Sequence, residues 1–228
     1  MASKSKRNRT KFKWTKELIF LIVGIVVLIG AAIIINLPTS ATQALEKYNN
    51  AITKYNTDNS TQYQVLPTNH VFKDTSIDSL KNDKKSDKYT FVFYGSLTNA
   101  TFLENLSKIN SLATEYEVST VYLWYADYVE TTDSDTKATA SYKTKVNEYN
   151  DIINENINSL VADSNGLYAS QDNFDLEIYP ALLVFKSNSL IFNSQTYSES
   201  DSASEYTWTT YINSAFKYAK ADEVLTSK

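Results

Sequence analysis

The side chains that carry most enzyme chemistry are scarce in this sequence of 228 residues. It has no Cys and one His, His70. The lack of Cys excludes disulfides, thiolate nucleophiles, zinc–cysteine sites and iron–sulfur clusters, and a single His excludes multi-histidine metal centres within the chain. A Ser/His/Asp triad would have to use His70, and no spacing in the sequence gives that residue its two partners. We therefore predict no enzyme activity and place His70 at the surface or at a strand edge.

The segment TTDSDT at 131–136 is the part of the sequence that most resembles a metal-binding loop. Asp133 and Asp135 supply its two carboxylates. A calcium loop also needs a central glycine and a closing glutamate, and this segment has neither. The acidic run SESDSASE at 198–205 is typical of a solvated linker that caps the helix after it. We predict no metal site and no cofactor.

Hydrophobic patterns predict a strand–helix–strand unit in the middle of the chain. The run YTFVFY at 89–94 is typical of a buried strand, and STVYLWY at 119–125 is typical of a second one. Between them, residues 101–116 carry apolar side chains at three- and four-residue spacing, as an amphipathic helix does. Such a βαβ unit predicts two parallel strands joined by a right-handed crossover.

Further elements are predicted on either side of this unit. The helical stripe of Leu45, Tyr48, Ile52 and Tyr55 predicts a short stalk helix at 41–55. The remaining predicted elements are a strand at 63–66, a brief helix at 76–82 capped by Asp74 or Thr75, a long helix at 138–161, an antiparallel hairpin of strands 181–186 and 189–192, and a helix at 204–224.

Three of these segments resemble the thioredoxin family, the last of them being the final helix. The first, FVFYGSLTNATF at 91–102, is similar to that family's strand and active-site loop, and the second, IYPALLVFKSNSLIF at 178–192, is similar to its proline-led hairpin. The resemblance covers about residues 61–224 and implies an α/β fold, a thioredoxin-like sheet flanked by helices, with a helical insertion at about 137–161. It also implies a cis peptide bond before Pro180.

The redox residues of that family are missing from this chain. The resemblance places Thr98 and Thr101 where the family has its two cysteines, and Val92 where it has a buried acid. Threonine hydroxyls provide neither a low-pKa thiolate nor a leaving sulfur, so thiol–disulfide exchange is excluded. The alternative role of Thr98 is structural, as the N-cap of the following helix, a position worth about 1 kcal/mol.

A docking surface needs no sulfur. In the thioredoxin family an extended substrate lies against the backbone before the cis proline, and backbone hydrogen bonds to an added strand give affinity by themselves. The resemblance therefore implies a candidate groove, formed by Ser96, Thr98, Thr101, Tyr179 and Pro180, that binds an extended polypeptide.

Aromatic residues offer a second candidate surface, because the chain has 17 Tyr, 10 Phe and three Trp. Tyr122, Trp124, Tyr128 and Tyr142 are candidates for an aromatic patch that binds peptide or carbohydrate. Side chains alternate between the two faces of a strand, so half of those at 119–125 are expected to point inward. We expect most aromatic residues on helical stripes to belong to the core.

The amino-terminal part of the chain is basic, and a long apolar run follows it. Seven of the 22 basic residues and one of the 26 acidic residues lie in 1–17, which leaves 15 basic and 25 acidic residues for the rest. Residues 18–35 contain no polar side chain, and a helix of this length spans about 27 Å, close to the hydrocarbon thickness of about 30 Å. Basic flanks stay cytoplasmic, so we predict a single-pass protein of the cell membrane that is extracellular from residue 39 onward.

A cleaved signal peptide is the alternative interpretation of the same segment. Ser40, Ala41 and Ala44 are small residues near a potential cleavage point. The apolar run is longer than the about 7 to 15 residues that are usual in a signal peptide, which favours the uncleaved anchor.

The predicted organisation has four parts: a basic cytoplasmic tail at 1–17, a transmembrane helix at 18–37, a stalk helix and linker at 38–60, and an extracytoplasmic thioredoxin-like domain at 61–228. The many Asn, Lys, Tyr, Ile and Ser residues are typical of a low-GC genome. Together with the lack of Cys, they favour the envelope of a Gram-positive bacterium as the outer compartment.

Two functions are consistent with this organisation. One is a membrane-anchored, non-redox accessory or assembly factor that binds a protein or peptide partner outside the cytoplasm; it resembles the thioredoxin-like accessory proteins of bacteriocin export. The other is a structural or adhesive module of the cell envelope. The partners predicted from the sequence are the lipid bilayer and a polypeptide, and no nucleic acid, since the basic arm serves as a topology signal.

Overall fold

The computed structural model describes residues 40–131, 133–158, 173–196 and 208–226. Residues 40–228 form one compact unit. The predicted basic tail and transmembrane helix lie outside the described residues. Within the described ranges, no helix has both the length and the apolar character needed to cross a bilayer.

A mixed sheet of five strands forms the centre of the fold, in the order β1-β3-β2-β4-β5. The first three strands are parallel to one another, β4 is antiparallel to β2, and β5 is antiparallel to β4. With the helices on its faces, this sheet confirms the predicted α/β class. The strands are β1 at Phe72–Thr75, β2 at Thr90–Gly95, β3 at Val121–Tyr125, β4 at Ala181–Lys186 and β5 at Ser189–Asn193.

Helices cover both faces of this sheet. They are α1 at Ser40–Asn59, α2 at Ile77–Asp83, α3 at Ala100–Glu115, α4 at Ser134–Ala138, α5 at Ala140–Asn154 and α6 at Trp208–Thr226, with a 3-10 turn at Ser194–Thr196 after β5.

The central strand β2 is buried on both faces, which explains its unbroken aromatic and β-branched sequence. Phe91 and Phe93 point to the face covered by α1, α3 and α6, where they stack on Phe216 at 4.5 Å and on Phe102 at 4.6 Å between ring centroids. The alternate residues of the strand point to the opposite face, towards α2 and α5. Two separate cores therefore hold the sheet, one on each side.

The predicted βαβ unit is confirmed, with α3 joining the parallel strands β2 and β3. The predicted hairpin is confirmed as well, as β4 and β5. Gly95 ends β2 at a point where the chain passes very close to α3, since a Cβ atom built on it would lie 2.2 Å from the Cδ2 atom of Phe102. A side chain does not fit at this position.

The predicted strand at 63–66 is wrong. Leu66 instead pairs with a side chain of α1: its N–H donates to Asn49 Oδ1 at 2.7 Å, and its carbonyl accepts from Asn49 Nδ2 at 3.0 Å. The first strand of the sheet is β1, which pairs in parallel with β3. β1 lies at the sheet edge and buries fully only Phe72, so its sequence lacks the hydrophobic alternation that marks a strand.

The predicted stalk helix is longer than expected and is part of the domain. Helix α1 runs from Ser40 to Asn59, and Tyr48 and Ile52 are fully buried against the sheet. The apolar stripe predicted the helix correctly, but its packing partner is the domain's own core, so α1 does not stand apart as a stalk.

The predicted long helix at 138–161 starts later and ends earlier than expected: α4 ends at Ala138, α5 covers Ala140–Asn154, and residues 155–158 are not helical. Thr139 ends α4 and caps α5, with an extended backbone and a hydroxyl that accepts from Tyr142 N–H. Helix α5 ends at Asn154, and Ile157 forms an isolated parallel bridge with Leu190 of β5. Residues 159–161 of the prediction lie outside the described ranges.

Candidate functional site

The candidate groove lies where β2 ends and β4 begins. Ser96 directly follows β2, and Pro180 directly precedes β4. Tyr94 and Ala181 are partners in the antiparallel register of these strands, so both segments leave the sheet at the same end of the strands. The Tyr179–Pro180 peptide bond is cis, as the resemblance implies.

Ser96 is fully buried and holds the shape of the loop. Its Oγ accepts a hydrogen bond from the backbone N–H of Thr98 at 3.1 Å, and its hydroxyl lies 2.9 Å from Thr98 Oγ1. Ser96 therefore supports the loop from inside the fold, and it is too buried to contact a bound polypeptide directly.

Thr98 is exposed and does not cap α3. The N-cap is Asn99, whose Oδ1 accepts from Phe102 N–H at 2.9 Å, so the capping role proposed for Thr98 is wrong by one residue. Thr98 Oγ1 donates to Glu130 Oε1 at 3.1 Å. Because a hydroxyl has one proton, Thr98 accepts from the hydroxyl of Ser96, and the three side chains form a directed chain of hydrogen bonds.

Thr101 is exposed on the first turn of α3. Its carbonyl accepts from Asn105 Nδ2 at 2.7 Å. Both threonines thus face solvent, one just before α3 and one on its first turn. Val92, the position that the sequence resemblance aligns with a buried acid, is fully buried within the sheet.

Tyr179 is half-buried beside the loop. Its ring meets the fully buried ring of Tyr94 edge to face at 6.1 Å, and Tyr94 donates to the carbonyl of Leu176 at 2.6 Å. Burial, followed by the nearby carboxylate of Glu130, raises the pKa of Tyr179. Among the described residues, the backbone N–H and C=O of Tyr179 have no hydrogen-bond partner.

Glu130 connects the two sides of the groove, and the sequence reasoning missed it. Its carboxylate accepts from Thr98 on one side and influences the Tyr179 phenol on the other. No local pattern singles it out within the segment YVETTDSDT, because its partner Thr98 lies 32 positions earlier in the chain.

The predicted aromatic patch is mostly internal. Trp124 and Tyr142 are buried, and Tyr122 is half-buried. Tyr128 is 38% exposed and stacks on Tyr142 with 5.4 Å between ring centroids. Tyr142 donates to Glu177 Oε1 at 3.1 Å, and burial together with this hydrogen bond raises the pKa of Tyr142 to about 12.

A second polar cluster, also missed from the sequence, surrounds Asp74 in β1. Asp74 Oδ1 accepts from the hydroxyls of Tyr48 at 2.6 Å and Tyr125 at 3.0 Å, and these two hydroxyls also contact each other. Lys47 lies 4.0 Å from the carboxylate and 3.4 Å from the Tyr125 ring centroid. The cap of α2 is Ser76, so the predicted capping role of Asp74 is wrong.

Two further features are structural in character. Lys84 is buried, and its Nζ donates to the carbonyl of Ile152 at 2.5 Å and to Glu155 Oε2 at 3.0 Å, which ties the end of α2 to the end of α5. Asp133 caps α4 by accepting from Asp135 N–H at 3.0 Å.

In the part of the chain that the structure describes, no group of three His, Asp or Glu side chains could hold a metal ion.

A cavity of about 670 Å³ opens at the other end of the sheet from the groove, beside the starts of β2 and β3. Lys85, Lys88 and Tyr122 are among the residues that line it. Neither lysine forms an ion pair within the described ranges. None of the predicted groove residues lines this cavity.

His70 lies just before β1, where its Nδ1 accepts from Phe72 N–H at 3.1 Å. This position agrees with the predicted strand edge.

Comparison with known proteins adds no assignment for this chain or for the candidate groove. No protein-family model matches the chain, and no curated protein matches its sequence.

Proposed function

We propose that this chain is a membrane-anchored, non-redox protein whose thioredoxin-like domain binds an extended polypeptide outside the cytoplasm. Three features support the thioredoxin-like fold: the sheet order β1-β3-β2-β4-β5, the parallel βαβ unit, and the hairpin led by Pro180. With Thr98 in the loop after β2, Thr101 on the first turn of α3 and no Cys in the sequence, this domain carries no thiol chemistry.

The observation that carries the proposal is the unpartnered backbone of Tyr179. The N–H donor and the C=O acceptor of this residue lie just before β4, beside an exposed loop, and no described residue satisfies them. An extended polypeptide supplies the complementary carbonyl and N–H, as in strand addition, with main-chain hydrogen bonds providing affinity without sequence preference. Exposed Thr98 and Thr101 then form the opposite wall of the groove.

The membrane anchor in this proposal rests on the sequence. Residues 18–35 are uniformly apolar and follow a strongly basic arm, which orients the arm towards the cytoplasm and the domain towards the outside. A domain tethered in this way acts on polypeptides that cross or line the same membrane. We assign it a role as an accessory or assembly factor in secretion, of the kind that accompanies bacteriocin export.

Site-specific photo-cross-linking tests the groove. The full chain in lipid nanodiscs carries a photo-reactive amino acid at position 98 or 101, or at position 114, and is irradiated with a library of unstructured decapeptides. Thr101 and Thr114 are both exposed threonines of α3, so position 114 is a matched control at the other end of the same helix.

We expect peptide adducts from positions 98 and 101 and few from position 114. Equal labelling at all three positions, or labelling at position 114 alone, would contradict the groove. Labelling at position 114 alone would favour the structural or adhesive envelope module.

A further inference from the structure

We propose that the surface beside the groove selects polypeptide segments in which Lys or Arg neighbours an apolar side chain. This surface, the acidic-aromatic flank, consists of Tyr128, Glu130, Tyr142, Glu177 and Ile178. The inference rests on the proposed polypeptide-binding function and specifies which polypeptides bind best.

The flank is continuous with the groove. Glu130 is bonded to Thr98 on the groove wall and lies close enough to Tyr179 to affect its pKa. Glu177 immediately precedes Ile178 and Tyr179 in the chain. A peptide docked along the backbone of Tyr179 therefore has Glu130 and Glu177 within reach of its side chains.

The two carboxylates are held in place without a cation. Glu130 accepts from the Thr98 hydroxyl at 3.1 Å, and Glu177 accepts from the Tyr142 hydroxyl at 3.1 Å. Neither forms an ion pair with any described residue, and Lys145 of the adjacent helix α5 pairs with Glu148 at 3.1 Å. A guanidinium or ammonium group on the partner supplies the missing charge, and charge-assisted hydrogen bonds to a carboxylate are about twice as strong as neutral ones.

Apolar contact is available on the same surface. The large hydrophobic side chains that are exposed in the described ranges are Val65, Tyr128 and Ile178, and two of these three belong to the flank. Ile178 is 54% exposed next to Tyr179, and Tyr128 presents a ring that is stacked on Tyr142. A partner's apolar side chain covers Ile178, while a cation over the ring of Tyr128 gains a cation–π contact.

The flank depends on helix α5, the helical insertion of this chain. The helical insertion supplies Tyr142, which both supports Tyr128 and holds Glu177. The main-chain groove alone accepts any extended sequence, so the flank is what gives the site a preference. The excess of acidic residues in 18–228 favours the same cationic partners at longer range.

Binding of three matched peptides tests the selectivity. The probes are fluorescent decapeptides of one unstructured sequence with a central Arg-Leu, citrulline-Leu or Arg-Ser pair, measured by fluorescence anisotropy against the full chain in phosphatidylcholine nanodiscs. Citrulline keeps the shape of Arg and removes its charge. We expect the Arg-Leu peptide to bind about tenfold more tightly than the citrulline peptide and to weaken as salt is added. The Arg-Ser peptide should bind less tightly than Arg-Leu.

The double variant Glu130→Gln/Glu177→Gln keeps an acceptor for Thr98 and for Tyr142 and removes both charges. We expect the preference for Arg over citrulline to fall below about twofold in this variant. Glu115→Gln, an exposed substitution at the far end of α3, is the control and should keep the full preference.

The outcomes separate the two proposals. Equal binding of Arg-Leu and citrulline-Leu peptides, or a preference that survives the double variant, overturns the selectivity while the groove stands. Failure of all three probes with peptide adducts still forming at position 98 also overturns the selectivity. Failure of all three probes with no adducts at positions 98 and 101 overturns the polypeptide-binding function itself.

Discussion

At the scale of single residues, the shape of the candidate groove depends on a few hydrogen bonds within the loop that follows β2. Ser96, Thr98 and Glu130 form one chain of hydrogen bonds, with the buried Ser96 at its inner end. Ser96 is the buried member of this chain, and its hydrogen bonds to Thr98 favour one loop conformation, since breaking them would leave a buried hydroxyl unpaired. The loop can therefore present Thr98 and Thr101 in a defined arrangement.

Gly95→Ala tests the close approach of this loop to α3. The added Cβ atom would lie 2.2 Å from a ring carbon of the buried Phe102, so either the ring or the end of β2 must move. We expect a loss of about 1–3 kcal/mol in the free energy of unfolding, the usual cost of overpacking. Urea unfolding of the full chain in detergent micelles, followed by Trp fluorescence, measures it.

A double-mutant cycle with Phe102→Ala distinguishes this clash from other causes. The single Phe102→Ala change leaves a cavity and should cost about 3–5 kcal/mol. Because the truncated side chain makes room for the new Cβ atom, the double variant should lose at least about 1 kcal/mol less than the sum of the single changes. Strict additivity would show that the contact with Phe102 is not the source of the destabilisation.

At the scale of elements, α1 packs on the sheet through apolar side chains and through the polar cluster around Asp74. Tyr48 and Ile52 lie in the core, and Tyr48 shares Asp74 of β1 with Tyr125 of β3. Helix α1 directly follows the predicted anchor in the chain. Helix α1 is therefore part of the folded domain and not a separate connector.

The titration of Asp74 predicts how this attachment depends on pH. Partial burial raises the pKa of Asp74 and outweighs the opposing charge of Lys47. The folded protein therefore binds the proton more tightly than the unfolded chain, so this group's contribution to stability is full below the ordinary aspartate pKa and is lost as pH rises through the higher folded pKa.

Asp74→Asn removes this titration and keeps an acceptor for the tyrosine hydroxyls. We expect the variant to gain stability relative to the wild type between about pH 4 and pH 7, with slower hydrogen exchange of the α1 amides at the upper end. Asp78→Asn, with a side chain that is 85% exposed, is the control and should show a smaller change. A gain that is independent of pH would contradict the role assigned to Asp74.

At the scale of the whole molecule, the proposal places residues 39–228 on the outer side of the membrane. A tag after residue 228 should be removed by external protease in intact cells stripped of their wall, because seven basic residues in 1–17 hold the amino terminus in the cytoplasm. Immunoblotting of the tag measures its removal. The membrane fraction should also contain the full-length chain.

Cell lysis before protease treatment provides the control, since it exposes a tag on either side. Protection of the tag in intact cells would reverse the orientation. Release of a soluble fragment that begins near Thr42 or Leu45 would show that residues 18–35 act as a signal peptide.

Elements with a long, regular hydrophobic pattern could be predicted from the sequence, and so could the kinds of chemistry that the chain lacks. β2, α3, β3 and the β4–β5 hairpin lie within about two residues of their predicted positions, because each buries a face whose periodicity can be read locally. The α/β class follows from their order. The lack of Cys excludes thiol chemistry irrespective of fold.

Tertiary structure alone decided which segments meet. The edge strand β1 carries no clear alternation because it buries little, and α1 has an apolar stripe that is equally compatible with a stalk or with the core. Glu130 and Asp74 belong to polar clusters only through partners at distant chain positions, 32 residues away for Thr98 and 51 for Tyr125. The local hydrophobic pattern of an element shows which of its faces is buried. Contacts between distant chain positions depend on how all the elements pack together. The candidate groove and its flank consist of such contacts, so they could not be predicted from local patterns.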